Sequence, residues 1–96
     1  DNSDALLSPV ARVRLARVQF ARDNTSAALA TLDSVESEGY ELVINELRGD
    51  IHSADGDAEA AREAYRLAYE QAQQQGVESP YLKMKLDDLA ATTDDA

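Results

Sequence analysis

A repeat of 33 residues constrains this chain more than any other feature of its sequence. When the sequence is shifted by 33 positions against itself, small and apolar residues fall on small and apolar residues. Ala16 aligns with Gly49, and the turn at residues 23–24 aligns with the turn at residues 56–57. The other pairs in this register are Ala28 with Ala61, Leu32 with Tyr65, and Val35 with Ala68. In a chain of 96 residues, this pattern predicts one small domain built from two similar units.

Apolar residues at helical spacing predict five helices, and no segment has the pattern of a strand. Ser8, Asp57 and Ser79 stand where each would cap the start of a helix, and Gly76 stands where it would end one. Asp23-Asn24 offers cap oxygens for the second helix. Four of these helices form two pairs, and the fifth follows them.

The order of small and large residues within each unit is typical of tetratricopeptide repeats, whose period is about 34 residues. A small residue in the first helix lets the second helix approach, and a larger residue one turn later fills the gap. We therefore predict an all-α tetratricopeptide-repeat solenoid with two helix pairs and a C-terminal capping helix. The predicted boundaries are a ragged segment at 1–7, a repeat domain at 8–91 with repeats at about 8–38 and 40–76 and a capping helix at 80–91, and a disordered tail at 92–96.

The charge of the chain excludes several classes of function. Nine basic residues stand against nineteen acidic ones, which gives a net charge of −10, and such a chain repels nucleic acid. Residues 1–32 hold four Arg and three Asp, whereas residues 33–96 hold five basic and sixteen acidic residues. With no Cys and one His, disulfides, thiolate catalysis and zinc sites of several imidazoles are excluded.

The candidate chemical residues have simple structural explanations. His52 could act as a base or as a metal ligand with Asp55, but a half-buried position on its helix explains it better. Residues 55–59 resemble part of a calcium loop, yet Ile51 and Arg62 stand where that loop needs acids. We therefore predict no catalytic, cofactor-binding or metal-binding residues, no cofactor, and no enzyme activity.

The first helix of each tetratricopeptide repeat lines a concave surface, where we predict that a protein or peptide partner binds. Phe20, the only Phe in the chain, and Arg17 are of types that dominate interface hot spots. The alternative is that Arg17 pairs with Asp50, its equivalent in the next repeat, and that Phe20 lies in the core. The predicted partner-binding residues are Val13, Arg17, Phe20, Ala21, Val43, Glu46, Asp50 and Ser53.

Three segments of the chain resemble one particular family more closely than they resemble tetratricopeptide repeats in general. The segments RLARVQFARDNTSAALATLDSV, EGYELVINELRGDIHSADGDAEAAREAY and YLKMKLDDLA resemble the C-terminal half of the YfgM-like family of ancillary SecYEG translocon subunits, and residues 38–40, 46–50 and 83–86 carry it best. The resemblance covers about residues 10–90. It implies a periplasmic repeat domain behind an N-terminal inner-membrane helix, partners in SecYEG and the periplasmic chaperone PpiD, and no catalysis. The chain starts at Asp1, so we expect a fragment whose membrane anchor lies upstream.

The function expected from repeat and resemblance together is a non-catalytic protein-interaction module on the periplasmic side of the bacterial inner membrane. Two alternatives stay open. One is a holdase-type chaperone that binds unfolded clients through exposed apolar surface, and the other is a tetratricopeptide scaffold of a different assembly. A holdase suppresses the aggregation of unrelated clients, whereas a dedicated adaptor does not.

Overall fold

The structure is a computed structural model that describes residues 8–36 and 38–94, with side chains through Ala90. These residues form helices and connecting turns, with no strand among them, which confirms the all-α prediction. The five helices are α1 (Pro9–Ala21), α2 (Thr25–Asp33), α3 (Glu41–Ala54), α4 (Ala58–Gln74) and α5 (Pro80–Asp94). None of the helices described is long and apolar enough to cross a membrane.

The helices form two compact units, the first ending at Tyr40 and the second beginning at Glu41. Helix α1 packs against α2 in the first unit. In the second unit α3 packs against α4, and α4 also packs against α5. Each repeat predicted from the sequence is therefore a compact pair of helices, and the predicted capping helix belongs to the second unit.

Three of the four predicted helix starts have the expected side-chain cap. The Ala11 amide donates to Ser8 Oγ at 3.1 Å, and the Ala60 amide donates to Asp57 Oδ1 at 3.2 Å. The Leu82 amide likewise donates to Ser79 Oγ at 3.3 Å. The expectation of a side-chain cap for α2 is wrong. Asn24 occupies the cap position but makes no side-chain hydrogen bond there, and only its carbonyl accepts a bond.

The turns after α1, α3 and α4 repeat the same backbone pattern. In each turn one residue has a positive φ, which is 61° at Asp23, 82° at Gly56 and 71° at Gly76. The next amide then bonds to the carbonyl five residues earlier, as in a Schellman motif. These bonds run from Asn24 to Gln19 at 2.8 Å, from Asp57 to His52 at 2.9 Å, and from Val77 to Ala72 at 2.8 Å. The first two turns are 33 residues apart, so the repeat extends to individual hydrogen bonds.

All eight residues of the four small or apolar pairs in the repeat register are buried. Four belong to the first unit and four to the second: Ala16, Ala28, Leu32 and Val35, and then Gly49, Ala61, Tyr65 and Ala68. Gly49 shows why one of these positions must be small. A Cβ atom on Gly49 would lie 2.5 Å from Cδ1 of Tyr65, so the tyrosine ring occupies the space that any side chain would need.

Helix α5 covers the apolar side of α4, as predicted for a capping helix. Leu82 is fully buried in a cluster with Tyr65 and Ala68, and Leu86 and Leu89 pack against that cluster. The helix continues to Asp94, so the predicted tail at 92–96 is wrong for residues 92–94. Neither Gly nor Pro follows Ala91 to stop the helix. The predicted ragged segment at 1–7 and residues 95–96 lie outside the described residues.

Candidate functional site

In the first unit, the four predicted partner-binding residues differ in their exposure. Arg17 and Ala21 are exposed, Phe20 is half-buried, and Val13 is buried, with 6% of its surface accessible. The sequence left open whether Phe20 is an exposed binding residue or a core residue, and its half-buried state lies between these alternatives. Arg17 and Ala21 are one turn apart, so their exposed side chains lie on the same face of α1.

In the second unit, the predicted residues lie along α3. Val43, Glu46 and Asp50 are half-buried, and Ser53 is exposed. Their spacing of three and four residues puts them on one side of the helix. The predicted groove combines residues of both units and stays a prediction.

Asp50 has a structural role that the sequence did not reveal. The hydroxyl groups of Tyr65 and Tyr81 both donate to Asp50 Oδ1, each at 2.5 Å. The two rings meet edge to face, with centroids 6.5 Å apart and planes at 81°, and Lys85 Nζ lies 5.4 Å from the Tyr81 ring centre. We call Asp50, Tyr65 and Tyr81 the tyrosine node. It connects α3, α4 and α5 through one carboxylate oxygen.

The electrostatics of the tyrosine node keep both phenols protonated. Burial raises the pKa of Tyr65 far above its ordinary value, and the hydrogen bond to the Asp50 carboxylate raises it further. Burial and the same carboxylate raise the pKa of Tyr81 to about 12. Because both phenols remain hydrogen-bond donors at physiological pH, the node suits a structural connection rather than proton transfer.

One signal for this node was present in the sequence. The repeat register places Tyr65 in the core, and a buried tyrosine hydroxyl needs a hydrogen-bond acceptor. Asp50, next to the small Gly49, was available for that purpose. A second polar contact between α3 and α4 was also missed, in which the Nδ2 of buried Asn45 donates to Gln71 Oε1 at 3.1 Å.

One face of α1 combines exposed apolar side chains with arginines. Val10 is 44% exposed, Leu15 39% and Val18 49%. Arg14 and Arg17 are exposed between them. We call these five residues the arginine–valine face. Buried Val13 and Ala16 lie on the opposite side of the helix, toward the core.

His52 and Asp57 both take part in the turn between α3 and α4. His52 is half-buried, as predicted, and its carbonyl accepts the Asp57 amide that closes the turn. The Asp57 side chain caps α4, as the alternative to a calcium loop requires. Within the described residues, no group of three or more His, Asp and Glu could hold a metal ion.

Comparisons with known proteins agree with the geometry of the helices. Residues 1–91 match the model of the tetratricopeptide repeat-like domain family. The chain is 42% identical over 65 residues to the ancillary SecYEG translocon subunit of Escherichia coli K12, covering 68% of this chain and 32% of that protein. It is 36% identical over 88 residues to the subunit of the same name from Aggregatibacter actinomycetemcomitans, covering 92% of this chain and 42% of that protein. The Haemophilus influenzae subunit of that name is 38% identical over 90 residues, with the same shares covered. The chain thus spans less than half the length of these relatives, and no solved structure matches it.

Proposed function

Because the chain belongs to the tetratricopeptide repeat-like domain family and its relatives are ancillary SecYEG translocon subunits, we propose that it is a non-catalytic protein-interaction module of such a subunit. The names of these relatives are the observation that carries the proposal. The exposed arginine–valine face of α1 supports it, since exposed apolar surface beside Arg is typical of interfaces. The work of the module is to hold a partner rather than to transform a substrate.

The proposal includes a place and a set of partners. The protein works on the periplasmic side of the bacterial inner membrane, anchored through a segment outside this chain. It contacts SecYEG and the periplasmic chaperone PpiD. The location and the partners are proposed from the family resemblance of the sequence. The partner-binding residues are proposed from the repeat register, and they include Arg17 and Phe20 in the first unit and Glu46 and Asp50 in the second.

A pull-down from membranes tests this proposal. The full-length protein that contains the chain is tagged and purified in mild detergent, and the amount of SecYEG that co-purifies is measured. Wild type is compared with Arg17→Glu and Phe20→Ala, and the unfolding of each variant is followed by circular dichroism. Loss of SecYEG with unchanged unfolding supports binding through these residues. If both variants lose stability but retain SecYEG, Arg17 and Phe20 are structural and the partner binds elsewhere.

A holdase is the second candidate function, and the exposed Val10, Leu15 and Val18 favour it. A holdase would slow the heat-induced aggregation of an unrelated protein such as citrate synthase at near-equal molar ratios. The matched comparison is Val18→Ser, which removes apolar surface from α1, with Val77→Ser, which removes a similar exposed valine from the second unit. If wild type leaves the aggregation rate unchanged, the holdase function is excluded.

A further inference from the structure

Helix α1 is basic in an acidic protein. The chain has a net charge of −10, yet α1 contains three Arg and no Asp or Glu. Arg12 is engaged within the first unit, where its Nη1 donates to Ser34 Oγ at 2.9 Å. For Arg14 and Arg17, no carboxylate in the described part of the first unit lies at ion-pair distance. Two exposed guanidinium groups one turn apart thus have no counter-charge from the described residues of their own unit.

The same face exposes a concentration of apolar surface. Six large hydrophobic residues in the described part of the chain are exposed, and three of them, Val10, Leu15 and Val18, lie on this helix of 13 residues. Val10, Arg14, Arg17 and Val18 follow the spacing i, i+4, i+7 and i+8, which places them on one stripe. Apolar side chains therefore lie directly beside the two arginines. Exposed surface of this mixed kind marks a site of protein contact better than isolated hydrophobic residues do.

We infer that the arginine–valine face binds a protein segment whose apolar side chains are flanked by Asp or Glu. This inference rests on the proposed function and names the chemistry of the partner. Arginine pairs with carboxylates through two parallel hydrogen bonds, and valine and leucine provide the apolar contact that such a pair needs around it. An anionic membrane surface fits less well, because the remainder of the chain is strongly acidic and is repelled by it.

The arginine–valine face contains exposed residues that the predicted groove does not include. Arg14, Leu15 and Val18 are not among the predicted groove residues, yet they are exposed around Arg17. A partner that carries carboxylates would be repelled by the acidic second unit and attracted by α1. The charge difference along the chain thereby orients the partner on the first unit.

The test uses site-specific photo-crosslinking in the full-length protein, in membranes that contain SecYEG. A photo-reactive phenylalanine replaces Val18 and, in a matched control, Met84, whose exposure of 50% is close to the 49% of Val18. The crosslinked segments are identified by mass spectrometry. We expect position 18 to capture a segment with Asp or Glu beside apolar residues, and position 84 not to capture it. Capture at position 18 of lipid, a second copy, another part of the same chain, or a segment without carboxylates would overturn the inference.

Charge variants complete the test. Arg14→Glu and Arg17→Glu are each expected to reduce the crosslink from position 18 by about fivefold or more, and the single reversal Lys83→Glu on α5 is expected to leave it unchanged. Arg17→Gln replaces Arg17→Glu if the latter disturbs folding. If the arginine variants match Lys83→Glu while wild type still co-purifies SecYEG, the inference fails and the proposed function stands. If wild type does not co-purify SecYEG, the proposed function fails, and the segment captured at position 18 still decides the inference.

Discussion

The two units place opposite charges at one position of the repeat, and the two residues have different surroundings. Arg17 in the first unit is exposed, whereas Asp50, 33 residues later, accepts hydrogen bonds from two tyrosines. The reason lies one helix away, where the first unit has Leu32 and the second has Tyr65 at equivalent positions. Leucine offers position 17 no hydrogen bond, so the arginine remains available to a partner. Repeat equivalence thus predicts the buried pairs of the two units, whereas it does not predict the polar contacts at positions 17 and 50.

The polar contacts of the two units differ accordingly. In the first unit they lie at the margin of the helix pair, where Thr31 Oγ1 donates to Gln19 Oε1 at 2.7 Å and Arg12 reaches Ser34. In the second unit the tyrosine node reaches from the fully buried Tyr65 out to α5. The second unit is therefore a three-helix assembly held partly by one carboxylate, and perturbations there should cost more than equivalent changes in the first unit.

Deletion of residues 80–96 should have the largest effect and act through the second unit. It uncovers the cluster around Tyr65 and Ala68 and removes Leu82, whose burial alone is worth roughly 1.5–3 kcal/mol. We expect a loss of several kcal/mol in the free energy of unfolding and association of the exposed faces, checked by urea denaturation and light scattering. Leu82→Ala is the milder control, at about 2–5 kcal/mol. A monomer with an unchanged unfolding midpoint would show that α5 adds nothing to the core.

The small residue in the first helix of each unit, Ala16 in the first and Gly49 in the second, allows a finer comparison of the two units. Gly49→Ala places a Cβ atom 2.5 Å from the Tyr65 ring, so the ring must move and strain its bond to Asp50. We expect a cost of about 1–3 kcal/mol in denaturant unfolding, although alanine is the better helix former. The opposite change in the first unit, Ala16→Gly, should cost about 1–2 kcal/mol, through helix propensity and the loss of a fully buried methyl group. Unchanged or increased stability of Gly49→Ala would contradict a close contact between Gly49 and the Tyr65 ring.

The sequence predicted what depends on local pattern and on the repeat. Cap residues such as Ser8 and Asp57, the glycine turn at Gly76 and the buried pairs follow from spacing and residue size, so these were predictable. The tyrosine node was missed: the burial of Tyr65 indicated that its hydroxyl needs an acceptor, but its first-unit counterpart Leu32 supplies no template for which residue accepts the bond. The exposure of Val18 also could not be read from spacing, since an apolar residue at helical spacing is normally assigned to the core. The extent of α5 beyond Ala91 was missed because Thr92 and Thr93 are weak helix formers, although neither Gly nor Pro follows to stop the helix.

The tyrosine node should make the second unit sensitive to alkaline pH. The folded-state pKa of Tyr81, about 12, lies above its ordinary value of 10, so its stabilising contribution is complete below pH 10 and is lost as the pH rises through 12. Tyr81→Phe should cost about 0.5–1.5 kcal/mol at pH 8 and reduce the loss of stability between pH 10 and 12, measured by urea unfolding. The remaining loss comes from Tyr65, whose pKa is also raised. The control is Tyr69→Phe, a half-buried tyrosine of α4 outside the node, which should retain the full alkaline loss. If Tyr81→Phe behaves like Tyr69→Phe, the bond to Asp50 contributes little.

The smallest expected effect is a gain in stability, and it comes from the turn of the first unit. Asp23 has a φ of 61°, a conformation that glycine adopts without strain and that Gly56 provides at the equivalent position of the second unit. Asp23→Gly should raise the free energy of unfolding by a few tenths to about 1 kcal/mol, because the relief of backbone strain exceeds the entropy that glycine loses on folding. The reverse change, Gly56→Asp, should lower it by a similar amount. Thermal unfolding checks both, since about 1 kcal/mol shifts Tm by roughly 4–8 °C in a domain of this size. If both Asp23→Gly and Gly56→Asp lower Tm, the Asp23 side chain stabilises the turn of the first unit by more than the relief of backbone strain at that position.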